Sequence, residues 1–112
     1  MRRPKVLFLD DEVDLLEMFR DYCDDIAEVR IFAKPQEALL SALSDPPEIA
    51  FLDYRLPTTT GVEVGQHFPP EARLYLLTGE LDIECPTNFE KILIKPIRMS
   101  EIAELILKKS TV

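Results

Sequence analysis

Residues 5 to 12 read KVLFLDDE. Val6, Leu7, Phe8 and Leu9 form an unbroken apolar run. A strand with one wet face alternates apolar and polar residues, whereas a strand covered on both faces does not. The stretch therefore predicts a buried strand over 5–10. The run stops abruptly at Asp10, Asp11 and Glu12, and a helical pattern begins. Asp11 is well placed to cap that helix. Adjacent aspartates repel each other unless something positive lies between them, so a cation is expected nearby.

The same signature returns at IAFLD (49–53), which also closes on an aspartate. EVRIFA (28–33), RLYLLT (73–78) and KILIK (91–95) complete five candidate strands. Helical patterns lie between them. EVDLLEMFRDYC (12–23) places Val13, Leu16, Phe19 and Cys23 at helical spacing, with Leu15 and Tyr22 beside them. KPQEALLSAL (34–43) has Pro35 in its first turn, where proline is tolerated. VEVGQHF (62–68) reads as a short, weak helix. MSEIAELILKK (99–109) groups Ile102, Leu105 and Ile106 on one side and ends in Lys108 and Lys109, where the helix dipole favours cations.

Strands alternating with helices predict a parallel sheet covered on both faces. Right-handed crossovers make that sheet doubly wound. The connection GELDIECPTNFE (79–90) breaks the rhythm. Its apolar spacing is poor and Pro86 interrupts it, so the helix due there is expected to be shortened or missing.

With 112 residues the chain has room for one core, and residues 1–112 are read as a single domain. An apolar fraction of 46% is enough to build that core and argues against disorder. There are 21 acidic and 13 basic residues, for a formal net charge of −8. That balance argues against direct binding of nucleic acid, which needs a basic face. The apolar run near the N-terminus is too short for a signal-peptide core, and no stretch approaches a membrane span. A cytoplasmic location is expected, with Cys23 and Cys85 as unpaired thiols. The single histidine, His67, excludes a His-cluster metal site.

In such sheets ligands gather beyond the carboxyl ends of the strands. The residues there are Asp10 and Asp11 after the first strand, Asp53 after the third, Thr78 after the fourth and Lys95 after the fifth. Three carboxylates this close cannot all remain ionised and unpaired. A hard divalent cation resolves the conflict, and an all-oxygen ligand set suits Mg²⁺. Mg²⁺ commonly shares its shell with phosphate, so the rim suits phosphoryl chemistry.

The pieces LFLDDE (7–12), FLDYRLPTTTG (51–61), LLTG (76–79) and IKP (94–96), in this order across nearly the whole chain, resemble the receiver domain of two-component response regulators. The resemblance implies a flavodoxin-like sheet in the order 2-1-3-4-5. It implies that Asp53 accepts a phosphoryl group from a phosphohistidine of a sensor kinase or histidine phosphotransfer protein, forming an aspartyl phosphate. Asp11, Asp53 and the backbone carbonyl of Arg55 would bind Mg²⁺, with Asp10 acting through water. Lys95 would pair with Asp53 and then with the phosphoryl group, and Thr78 would report its arrival to an output partner. The Lys95–Pro96 bond would be cis. Such a domain is a switch; it catalyses only its own phosphorylation and dephosphorylation.

Two departures bear on that reading. Ile92 stands three residues before the lysine, where the family carries an aromatic switch, and Thr58 replaces a common glycine. The missing aromatic leaves a second reading open: a degenerate receiver that binds a partner independently of phosphorylation. A haloacid-dehalogenase-like phosphatase uses similar groups, but it needs an aspartate two residues after its nucleophile, and after Asp10 that position holds Glu12. Arg55 and Glu80, each two residues beyond a site residue, are read in one of two ways: as two solvated charges, or as a pair across the site that restricts the water hydrolysing the acyl phosphate.

Overall fold

The computed structural model describes residues 3–108. Five strands, β1 (Lys5–Leu9), β2 (Glu28–Phe32), β3 (Ile49–Asp53), β4 (Arg73–Thr78) and β5 (Lys91–Ile94), pair in parallel in the order β2-β1-β3-β4-β5. The order reverses between β1 and β3, so the rim beyond their C-terminal ends is the switch point of the fold. The continuous apolar runs are the central strands: all of β3 is buried, and so is β1 after Lys5. The edge strands β2 and β5 keep several residues partly exposed.

Helices α1 (Val13–Cys23) and α4 (Met99–Leu107) cover one face. Beneath them Phe19, Phe8, Phe51 and Tyr75 stack ring on ring, with centroids 4.4, 4.9 and 5.2 Å apart. Such pairs contribute roughly 0.5–1.5 kcal/mol each beyond their buried area. Helices α2 (Pro35–Ser44) and α3 (Gly61–Gly65) cover the other face, with Ala38 and Ala42 lying against Leu7, Leu9 and Leu52. The small alanines let α2 approach the sheet closely.

Several expectations need correction. Asp11 does not cap α1. Glu12 holds the N-cap position without a side-chain bond, and the Asp10 carboxylate accepts the Glu12 N–H at 2.9 Å. Val13 and Tyr22, counted with the apolar stripe, are exposed, because α1 buries only the narrower stripe of Leu16, Phe19 and Cys23. The helix expected at 62–68 is shorter, spanning 61–65, and gives way to turns before Pro69. The last helix ends at Leu107 with Lys108 as its C-cap, and Lys109 lies outside the described residues.

The connection between β4 and β5 carries no helix, as its poor pattern and Pro86 predict. Phe89 fills part of the space instead, buried in the core on the α3 side. Gly65 makes room for it, since a Cβ there would lie 2.7 Å from Phe89 Cζ. Cys23 is a buried free thiol and Cys85 an exposed one. No helix among the described residues is long and apolar enough to cross a membrane.

Candidate functional site

The C-terminal rim of the sheet brings together residues far apart in the chain. The Asp10 N–H donates to Phe32 O at 3.1 Å, so Asp10 continues the β1–β2 ladder and its side chain is held inward, fully buried. Asp53 closes β3 and is 4% exposed. Asp11 is exposed at the mouth. One carboxylate oxygen from each of the three lies within 4.8 Å of the others.

Lys95 meets this cluster from the fifth strand. Its N–H donates to Thr78 O at 2.8 Å, which extends the ladder by one residue beyond β5. The Lys95–Pro96 bond is cis. The Lys95 ammonium lies 3.0 Å from Asp10 Oδ2, 3.2 Å from Asp53 Oδ1 and 3.0 Å from Glu12 Oε1. Glu12 is the partner that sequence reasoning missed. One ammonium faces three carboxylates here, and Asp11 adds a fourth carboxylate at the mouth, so acidic groups outnumber the cation at the rim.

The electrostatics follow from that imbalance. Burial pushes the Asp53 carboxyl up to about 7, with the Asp10 carboxylate adding to the rise and Lys95 opposing it. Burial also raises Asp10, against the opposing Glu12 N–H and the Lys95 ammonium. For Lys95 burial acts downward, but the Asp10, Glu12 and Asp53 carboxylates outweigh it and the net shift is upward. Lys95 therefore stays charged while Asp53 sits near its midpoint at neutral pH. The donor set, all oxygen and acidic with Asp10 Oδ2 buried and, among the described residues, met only by Lys95, fits a hard divalent cation.

Thr78 ends β4, 2% exposed, and its Oγ1 accepts the Glu80 N–H at 3.0 Å. That leaves the hydroxyl proton free to be donated. Arg55 and Glu80 pair over the rim through Arg55 Nε, and through Nη2 to Oε1 at 3.2 Å. The Arg55 guanidinium also lies 5.5 Å from the Tyr54 ring centroid. Ile92 is half-buried against the α3-side core.

The loop after Asp53 is held by Gly61. Its N–H donates to Tyr54 O at 3.0 Å, and a Cβ there would press on the Asp53 carbonyl oxygen and lie 3.1 Å from Leu76 Cδ1. The neighbours are backbone and packed core, so they cannot yield easily. Gly61→Ala should cost about 1–3 kcal/mol in urea denaturation, as overpacking does. A stability loss below about 0.5 kcal/mol would show that the loop relaxes freely.

No protein-family profile and no curated protein matches this sequence. Solved structures do. A two-component response regulator from Clostridium difficile superposes with a TM-score of 0.84 at 16% identity, over 98% of this chain and 100% of that one. A CheY-like response regulator receiver domain from Methanospirillum hungatei JF-1 gives 0.82 at 22% identity, over 93% and 90%. An adenylate cyclase structure from Rhodopirellula baltica gives 0.82 at 28% identity, over 93% and 84%. The chain has the fold of response regulator receiver domains.

Proposed function

We propose that residues 1–112 form a phosphoacceptor receiver domain of a cytoplasmic two-component system, with Asp53 as the acceptor. The observation that carries this reading is the buried Asp53 carboxylate at the switch point, within reach of two further aspartates and 3.2 Å from Lys95. The fold shared with solved receiver domains supports it.

An Asp53 carboxylate oxygen attacks phosphorus, and the bond from phosphorus to the donor's histidine nitrogen breaks with its electron pair leaving on the imidazole. Asp10, Asp11 and Asp53, with the Arg55 carbonyl, are the groups that would hold Mg²⁺, which supplies positive charge against the phosphoryl oxygens. Lys95 then exchanges its contact with Asp53 for one with a phosphoryl oxygen, and the Thr78 hydroxyl donates to another. A carboxyl poised near 7 is half protonated at neutral pH, and a bound cation favours the ionised nucleophile. The test is incubation with acetyl phosphate with and without Mg²⁺. A single hydroxylamine-labile phosphate that needs Mg²⁺ is expected; no adduct under either condition would overturn the proposal.

Arg55 and Glu80 give this reading a further consequence. The two side chains pair, each two residues beyond a rim residue, Asp53 or Thr78, and on this reading the pair restricts the water that reaches the acyl phosphate. Arg55→Ala should speed dephosphorylation several-fold, read by loss of adduct after the donor is removed. It should leave the urea midpoint essentially unchanged, because the pair is exposed. An unchanged rate would remove the pair from any gating role.

A phosphorylation-independent binding module is the second reading, favoured by Ile92 where the family carries an aromatic switch. Under it, partner binding is the same for wild type and Asp53→Asn with phosphoryl donor present.

A further inference from the structure

Glu12 holds the N-cap position of α1, yet its side chain makes no cap hydrogen bond. An N-cap side chain ordinarily accepts an N–H of the first turn. The Glu12 carboxylate turns away from the helix and accepts from Lys95 Nζ at 3.0 Å, across 83 positions of chain. The backbone from which it reaches is pinned on both sides. Its N–H donates to Asp10 Oδ1 at 2.9 Å, and its carbonyl accepts the Leu16 N–H at 3.1 Å. A site aspartate thus helps to fix the residue that meets the site lysine.

An ammonium has three protons to donate. Asp10 Oδ2 at 3.0 Å, Asp53 Oδ1 at 3.2 Å and Glu12 Oε1 at 3.0 Å all stand within ion-pair distance of Lys95 Nζ. The three acids differ in place and in use. Asp10 and Asp53 are buried and belong, with Asp11, to the cluster that could hold a metal. The Glu12 side chain is 62% exposed and lies outside that cluster. Its contact with Lys95 therefore serves neither the metal nor the nucleophile directly. On the proposed function Lys95 must turn from Asp53 to a phosphoryl oxygen. A carboxylate already bound to the ammonium holds one of its protons and offsets part of its charge, and that part is withheld from the phosphoryl oxygens.

We propose that Glu12 is a positioning residue that restrains the Lys95 ammonium and so slows phosphorylation of Asp53. It acts through Lys95 and touches no reacting atom. With its charge removed, the ammonium is shared among Asp10, Asp53 and the incoming phosphoryl group alone. This inference rests on the proposed function, and its test separates the two.

Adduct formation from acetyl phosphate is followed at saturating Mg²⁺ for the full chain and for Glu12→Gln, which keeps the length of the side chain and removes its charge. The variant should be faster by about three- to fivefold, the size that one exposed ion pair allows. In a Lys95→Met background the same substitution should change the rate by less than about twofold, because the ammonium it acts on is gone. A second readout needs neither metal nor donor: the Lys95 Nζ signal in ¹⁵N NMR should shift in Glu12→Gln, with circular dichroism unchanged. Glu12 is exposed and supplies no side-chain cap, so the variant is expected to fold. An unchanged or lower rate in Glu12→Gln overturns the inference and leaves the proposed function standing. So does an acceleration that persists in Lys95→Met, or a Lys95 Nζ signal that does not move. No adduct on the wild type overturns the proposed function, and this inference with it.

Discussion

Metal-free protein taken from pH 4 to pH 8 should lose about 4 kcal/mol of unfolding free energy through Asp53 alone. The unfolded carboxyl ionises near its ordinary value, whereas the folded one is pushed up to about 7. Between those values the folded chain binds more protons than the unfolded chain, so stability falls as pH rises. The fall starts near pH 4 and is complete above about 7. Lys95 is raised from an already high value, stays charged in both states across this window and adds no slope. Urea denaturation with a chelator present, wild type against Asp53→Asn, reads the effect together with the part of the Asp10 titration that is tied to Asp53. The variant should be flatter with pH and more stable than wild type at pH 8. Mg²⁺ should return about 2.7 kcal/mol to the wild type at a hundred times its dissociation constant. Equal slopes for the two proteins would mean that Asp53 is not held in the environment described.

Lys95→Met should slow phosphorylation from acetyl phosphate by about 10² to 10³. Among the described residues Lys95 is the single cation paired with the buried carboxylates, at 3.0 Å from Asp10 and 3.2 Å from Asp53. Removing it leaves two buried acids facing each other and takes a positive group from the incoming phosphoryl oxygens. Lys95→Arg keeps the charge but not the compact ammonium that reaches three carboxylates at once, so it should restore only part of the rate. Both variants are read from the initial rate of adduct formation at saturating Mg²⁺. A rate within threefold of wild type for Lys95→Met would remove Lys95 from the chemistry.

The parts of this molecule that were legible in its sequence are those that rest on repetition. Unbroken apolar runs located the central strands β1, β3 and β4 within a residue or so, because a strand buried on both faces has few polar positions to confuse it, and the edge strands β2 and β5 were legible as β-rich runs between helical patterns. Once those ends were located, Asp10, Asp53, Thr78 and Lys95 had to meet at one rim. The missing helix was legible for the same reason, as a failure of pattern around Pro86.

What escaped depends on side-chain direction at element ends. Helical spacing reports the phase of α1 but not its first residue, so it favours Asp11 as the cap where Glu12 holds that position. The backbone bond from Asp10 to Phe32 turns Asp10 inward, and it is Asp10 that accepts the Glu12 N–H. Glu12 then faces Lys95, 83 positions away, a contact that no local pattern encodes. The Phe89 plug had only one faint signal, a glycine in the weak helix opposite it.

The central claim is that Asp53 is the phosphoacceptor. Intact mass is measured for wild type and Asp53→Asn after the same incubation with acetyl phosphate and Mg²⁺, alongside a chelated control. The account predicts one phosphate adduct on the wild type with Mg²⁺, none with chelator, and none on Asp53→Asn. An adduct of equal yield on Asp53→Asn, or no adduct on the wild type, would contradict it.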